Sequence, residues 1–173
     1  MKKTYIAIGI QLAIMVLVLI PPLLVMATGK VVYLETDKMD PRSMFRGHFA
    51  ILGYLEAQDV LSKEIADESR RTGKPVYVQF TTDRPAKFVS VGIKKPKLSE
   101  NTICIIGRAR GHEGFGAFSP LLDNESVDFP QIAQYFTSKE EAQAVESARG
   151  EDLLAKVKVT GGCNAQLVGM ELR

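Results

Sequence analysis

The sequence predicts a mainly β (α+β) protein: an N-terminal transmembrane helix, then an antiparallel β-barrel or sandwich-like domain with two minor helices. Three observations carry that expectation. Residues 4–29 hold no charged side chain and are mostly Ile, Leu, Val, Ala and Met, which exceeds the roughly 20 apolar residues a helix needs to cross a hydrocarbon core. Residues 30–173 contain six to eight short runs of aliphatic and aromatic residues, several alternating with period two. Those runs lack the strand–helix–strand rhythm of a parallel sheet.

Lys2 and Lys3 are the only charges before the apolar run ends. The positive-inside rule therefore predicts a cytoplasmic N-terminus and a single-pass chain in the cell membrane. Residues 1–29 form the anchor and residues 30–173 the extracytoplasmic domain. Pro21 and Pro22 predict a kink or a helix end near Ile20, because proline removes a helical donor and biases the preceding residue away from α geometry. A cleaved signal peptide ending at Val25-Met26-Ala27 is the rival reading. Its apolar region is typically about 7–15 residues, so this longer run favours a retained anchor.

Beyond the anchor, residues 30–35 begin the domain as a short strand, and residues 36–42 form a polar turn around Asp40-Pro41. Residues 48–57 read as a strand. Residues 59–71 read as a surface helix with Asp59 as N-cap, Val60, Leu61, Ile65 and Ala66 as its apolar stripe, and Gly73 as its end. Val76, Val78 and Phe80 mark a half-buried strand over 75–81. Residues 87–93 and 102–110 follow as strands, and 111–125 as a glycine-rich loop. Residues 132–136 are short and apolar. Ser138 and Glu141 form a capping box that opens a helix to about residue 148. Residues 153–160 and 165–172 alternate as strands around a hairpin turn at Gly161-Gly162-Cys163-Asn164.

Charge excludes one class of partner. With Lys2 and Lys3 set aside, residues 30–173 hold 20 of the 22 basic side chains and all 20 acidic ones. A balanced, interspersed surface has no field to attract nucleic acid. The cysteines, Cys104 and Cys163, fit either a disulfide or two buried thiols, since spatial geometry rather than spacing decides.

At residues 40–54 the chain reads Asp40-Pro41-Arg42-Ser43-Met44-Phe45-Arg46-Gly47-His48-Phe49-Ala50-Ile51-Leu52-Gly53-Tyr54. This resembles the GDYXXLXY family of bacterial membrane-anchored proteins. Gly47, Leu52 and Tyr54 fall on the motif's glycine, leucine and second tyrosine. His48 stands where the family has aspartate, and Phe49 where it has the first tyrosine. Gly107-Arg108, Tyr135-Phe136 and the closing hairpin are similar in order and spacing. The resemblance implies one N-terminal span, an extracytoplasmic domain of unassigned activity, and association with a multi-span membrane protein. Turn and core roles account for each motif position: Gly47 at a turn, Leu52 and Tyr54 on one strand face, Arg42 bonding a carboxylate.

Candidate chemistry is sparse. Ser43-Met44 after a proline resembles the nucleophile segment of type I signal peptidase, although Phe45-Arg46 replaces the expected Pro-Thr. A serine–lysine pair also needs a desolvated lysine, whereas Lys87, Lys94, Lys95 and Lys97 lie in polar surroundings. His48 and His112 lack metal-ligand spacing, and residues 107–116 lack the Gly-Lys-Ser/Thr ending of a phosphate loop. No cofactor and no metal are expected. The reading is a non-enzymatic accessory or interaction subunit, with a Ser43 envelope hydrolase and a small-ligand-binding barrel as alternatives. The bilayer is the expected partner, and the basic Lys94-Lys95-Pro96-Lys97 turn is a solvated loop tip with lipid headgroups as a lesser alternative.

Overall fold

A single glycine separates the N-terminal helix from the longest strand. The computed structural model describes residues 2–39, 49–110, 125–136 and 153–172. Helix α1 (Lys2–Thr28) ends at Gly29, and β1 (Lys30–Met39) starts at the next residue. The close fit explains the glycine: a Cβ there would sit 3.1 Å from Lys158 Cβ and 3.2 Å from the Val159 amide nitrogen.

Strand β1 organises the first sheet. Its early residues pair antiparallel with β8 (Leu153–Val159), from Lys30↔Val159 to Glu35↔Leu154. Its later residues pair with β2 (Phe49–Tyr54), from Thr36↔Tyr54 to Met39↔Ile51. With β7 (Gln134–Phe136) and β9 (Ala165–Leu172) the order is β7-β2-β1-β8-β9. The second sheet has the order β4-β3-β5-β6, built from β3 (Val76–Thr81), β4 (Phe88–Gly92), β5 (Thr102–Ala109) and β6 (Val127–Asp128). Both sheets are antiparallel and curled, and they face each other as two half-barrels, as the alternating runs predict.

Period-two alternation decides what lies between them. Val32 and Leu34 from β1 and Val157 and Val159 from β8 are buried from one side. Val76, Val78 and Phe80 from β3 and Ile103 and Ile105 from β5 are buried from the other. Phe129 fills the centre, its ring 6.1 Å from that of Phe80 and 5.7 Å from that of Tyr54.

Several expectations need correction. Of the kink or helix end expected near Ile20, the end does not occur: α1 continues through Pro21 and Pro22 to Thr28. The turns beyond the prolines keep their own bonds, with Gly29 N–H donating to Val25 O and Thr28 Oγ1 to Leu24 O. Strand β1 runs to Met39 instead of turning at Thr36, because β2 pairs with its second half and Thr36 Oγ1 donates to Leu153 O at 3.0 Å. Residues 55–57 form a 3₁₀ turn rather than continuing the strand. Helix α2 (Lys63–Thr72) starts four residues later than expected. Asp59 has a positive φ of 54° and Ser62 is the N-cap residue. Leu61 instead pairs with Glu125 as an isolated bridge. Gly73 ends the helix in the left-handed conformation, as expected. Strand β6 carries no sequence signal, being only two residues long. The expected helix over 138–148 and most of the loop over 111–125 lie outside the described residues.

The cysteines are paired. Cys104 on β5 and Cys163 in the β8–β9 hairpin form a disulfide with a Cα–Cα distance of 4.8 Å, and Ile106 N–H donates to Cys163 O at 3.0 Å. This joins the two sheets covalently across 59 residues of chain. Replacing both cysteines with alanine is expected to lower stability by about 2–4 kcal/mol, mainly by releasing that loop in the unfolded chain. Denaturant unfolding of the detergent-solubilised full chain measures this, with reductant on the unaltered protein producing the same loss.

Candidate functional site

The family-type motif divides between core and undescribed chain. Asp40, Pro41, Arg42, Ser43, Arg46, Gly47 and His48 lie outside the described residues, as does His112. Phe49 sits on β2 opposite Phe136. Leu52 and Tyr54 are buried on the same face of β2. Tyr54 Oη donates to Ile132 O at 2.6 Å, and its ring meets Phe129 edge-on at an interplanar angle of 73°. Burial pushes the Tyr54 phenol well above its ordinary pKa, so it stays neutral. These two positions therefore belong to the core that joins the half-barrels.

Of the other candidates, Gly107 is a packing position: a Cβ there would collide with Val127 Cγ1 and approach Asp128 O at 2.9 Å. Lys87, Lys94, Lys95 and Lys97 are all exposed, so none is the desolvated lysine that a serine–lysine pair requires. Among the described residues no group of three or more His, Cys, Asp or Glu could hold a metal ion.

A family model described as GDYXXLXY protein matches residues 11–170. The chain belongs to the GDYXXLXY family. No curated protein and no solved structure matches it. The family match carries no activity, so the chemistry of this GDYXXLXY protein has to come from its own geometry.

Three features that single-residue reasoning missed shape the molecule. The first is the helix–domain junction. Val25 is buried, while Lys158 on β8 donates its ammonium to Met26 O at the C-terminal end of α1, where a cation is favoured. The second is a charged cluster over Tyr33. Glu171 on β9 accepts from Lys156 Nζ and Arg84 Nη2, both at 2.9 Å, and the Arg84 guanidinium lies 4.1 Å from the Tyr33 ring centroid. With Ala86 N–H donating to Tyr33 O at 2.8 Å, the cluster seats the β3–β4 connection on the first sheet. The Lys156 hydrogen bond holds the Glu171 carboxyl below its ordinary pKa, and the same bond raises that of Lys156.

The third feature is a cleft of about 550 Å³ between the end of α2 and β5. Arg70, Lys74, Gly107, Arg108 and Gln131 are among its lining residues. Arg70 is already committed, pairing with Asp67 at 3.1 Å and with the buried carboxylate of Glu125. Asp128 faces Arg110 at 3.7 Å. Lys74 and Arg108 are exposed and have no acidic partner among the described residues. The cleft therefore carries two cations without an ion-pair partner among the described residues. No linear spacing signals it, because its residues come from three separate segments.

Tyr54→Phe removes the donor to a buried carbonyl and is expected to cost about 1–2 kcal/mol, read as a lower denaturation midpoint without loss of β structure. Glu171 is expected to titrate below the ordinary glutamate range in NMR, returning toward it in Lys156→Ala. Because its folded pKa is depressed, the Glu171 contribution is present at neutral pH. It is lost as pH falls through that folded value.

Proposed function

We propose that this GDYXXLXY protein is a single-pass membrane protein in which α1 is the anchor and residues 30–173 work on the non-cytoplasmic side. There it serves as a non-enzymatic accessory or interaction subunit of a membrane complex. The observation that carries this reading is the exposure of α1. Over Thr4–Thr28 the helix is long and apolar enough to span a membrane, and only 6% of its most apolar window is covered by the rest of the chain. Leu12, Val16, Leu19, Leu23 and Leu24 all lie bare. A helix apolar on every face needs lipid or a partner helix around it.

Orientation rests on Lys2 and Lys3 before the span and on the Cys104–Cys163 disulfide beyond it. Basic residues favour the cytoplasmic side, and disulfides persist in oxidising compartments. The interaction role is consistent with Leu52 and Tyr54, the motif positions that are buried in the core. The bare helix also offers a surface on which a multi-span partner can pack.

A reporter enzyme active only outside the cytoplasm, fused after Arg173, is expected to be active. Activity only from a cytoplasm-dependent reporter overturns the orientation. Purification of the tagged full chain in mild detergents is expected to recover a multi-span membrane protein in fixed ratio. Recovery of the chain alone across several detergents overturns the subunit role.

A further inference from the structure

We infer that the cleft between α2 and β5 takes a phosphate group, with Lys74 and Arg108 as its charged contacts, and that its place in the fold suits the phosphate of an anionic lipid headgroup. The inference rests on the anchored reading above. The cleft is about 550 Å³, far larger than one phosphate and wide enough for a headgroup. Its two cations, without an ion-pair partner among the described residues, differ in what they supply. Arg108 offers a planar fork that can bond two phosphate oxygens, and Lys74 a point charge on a flexible stem. Of the acidic residues described nearby, Glu125 is paired with Arg70, and Asp128, opposite Arg108 in the ladder, approaches Arg110 at 3.7 Å. The turn carrying Lys74 is braced, since Ser69 Oγ donates to Lys74 O at 2.7 Å.

The wall of the cleft is tied to the level where α1 leaves the sheet. Lys30, two residues past the helix, pairs with Val159, so the hairpin at 160–164 lies at the helix exit. Three links pin the cleft wall to that hairpin. Ile106 N–H donates to Cys163 O at 3.0 Å, Cys104 is disulfide-bonded to Cys163, and Ala165 N–H donates to Gln131 Oε1 at 2.8 Å. Ile106 and Gln131 both line the cleft. Lys30 and Lys158 add positive charge at the same exit. A cation-bearing cleft at that level meets headgroup phosphates within the short range over which surface charge acts.

The test uses the full chain in nanodiscs of phosphatidylcholine, with or without phosphatidylglycerol, and a third sample of phosphatidylcholine discs with inorganic phosphate. Lysine reactivity toward an acylating reagent is read by mass spectrometry, with exposed Lys87 as the internal control. Phosphatidylglycerol is expected to shield Lys74 and leave Lys87 unchanged. K74Q/R108Q is expected to lose roughly 30-fold in preference for retained phosphatidylglycerol, the combined worth of two basic contacts at an anionic surface. An unchanged unfolding midpoint shows that this variant is folded. Shielding by inorganic phosphate but not by phosphatidylglycerol keeps the phosphate site and assigns it a soluble source. A chain that stays in the discs with Lys74 equally reactive in all three samples overturns the inference alone. A chain that leaves the discs overturns the anchored reading and the inference together.

Discussion

Strand β1 follows the apolar helix after one glycine and is shared between two ladders, pairing with β8 through its first half and with β2 through its second. An unpaired buried amide or carbonyl is costly, so this double ladder holds the first sheet in register and aligns it with the end of α1. Gly29 permits the close approach and Lys158 occupies the helix end. Val25 and the Lys158–Met26 bond tie the end of α1 to the sheet.

The second half-barrel depends on the first through a few specific ties. Phe129 packs between Phe80 and Tyr54, and the Tyr54 hydroxyl fastens the turn at Ile132. The Cys104–Cys163 disulfide closes the side nearest the helix exit. Arg70 reaches the buried Glu125, whose backbone also bridges Leu61. Breaking that ion pair would strand a buried carboxylate, which costs far more than an exposed pair contributes. Charged residues thus serve both the interior and the surface of this domain.

The functional reading follows from what these ties leave unused. The helix keeps its apolar faces bare, and the cleft keeps Lys74 and Arg108 exposed, without an ion pair among the described residues. The hairpin at the helix exit is tied to the cleft wall through Ile106 and Gln131. In the proposed anchored arrangement, the helix supplies apolar contact surface and the cleft supplies charge. Leu52 and Tyr54 of the family signature contribute to the core behind those surfaces.

The sequence by itself determined the charge-free helix, the antiparallel β class, most strand positions and the family. Each of these rests on local periodicity or on a linear motif: the run over residues 4–29, the alternation of Val76, Val78 and Phe80, the Leu52–Tyr54 spacing. Tertiary structure alone decided the rest. Asp59 could cap a helix by its chemistry, yet the Leu61–Glu125 bridge delayed the helix to Lys63. Two prolines could end α1, yet the bonds beyond them carried it to Thr28. Whether Cys104 met Cys163, and whether Lys74 and Arg108 came to share a cleft, depended on distances through space between segments far apart in the chain. Local pattern records which face of an element is apolar, but only packing decides which faces meet.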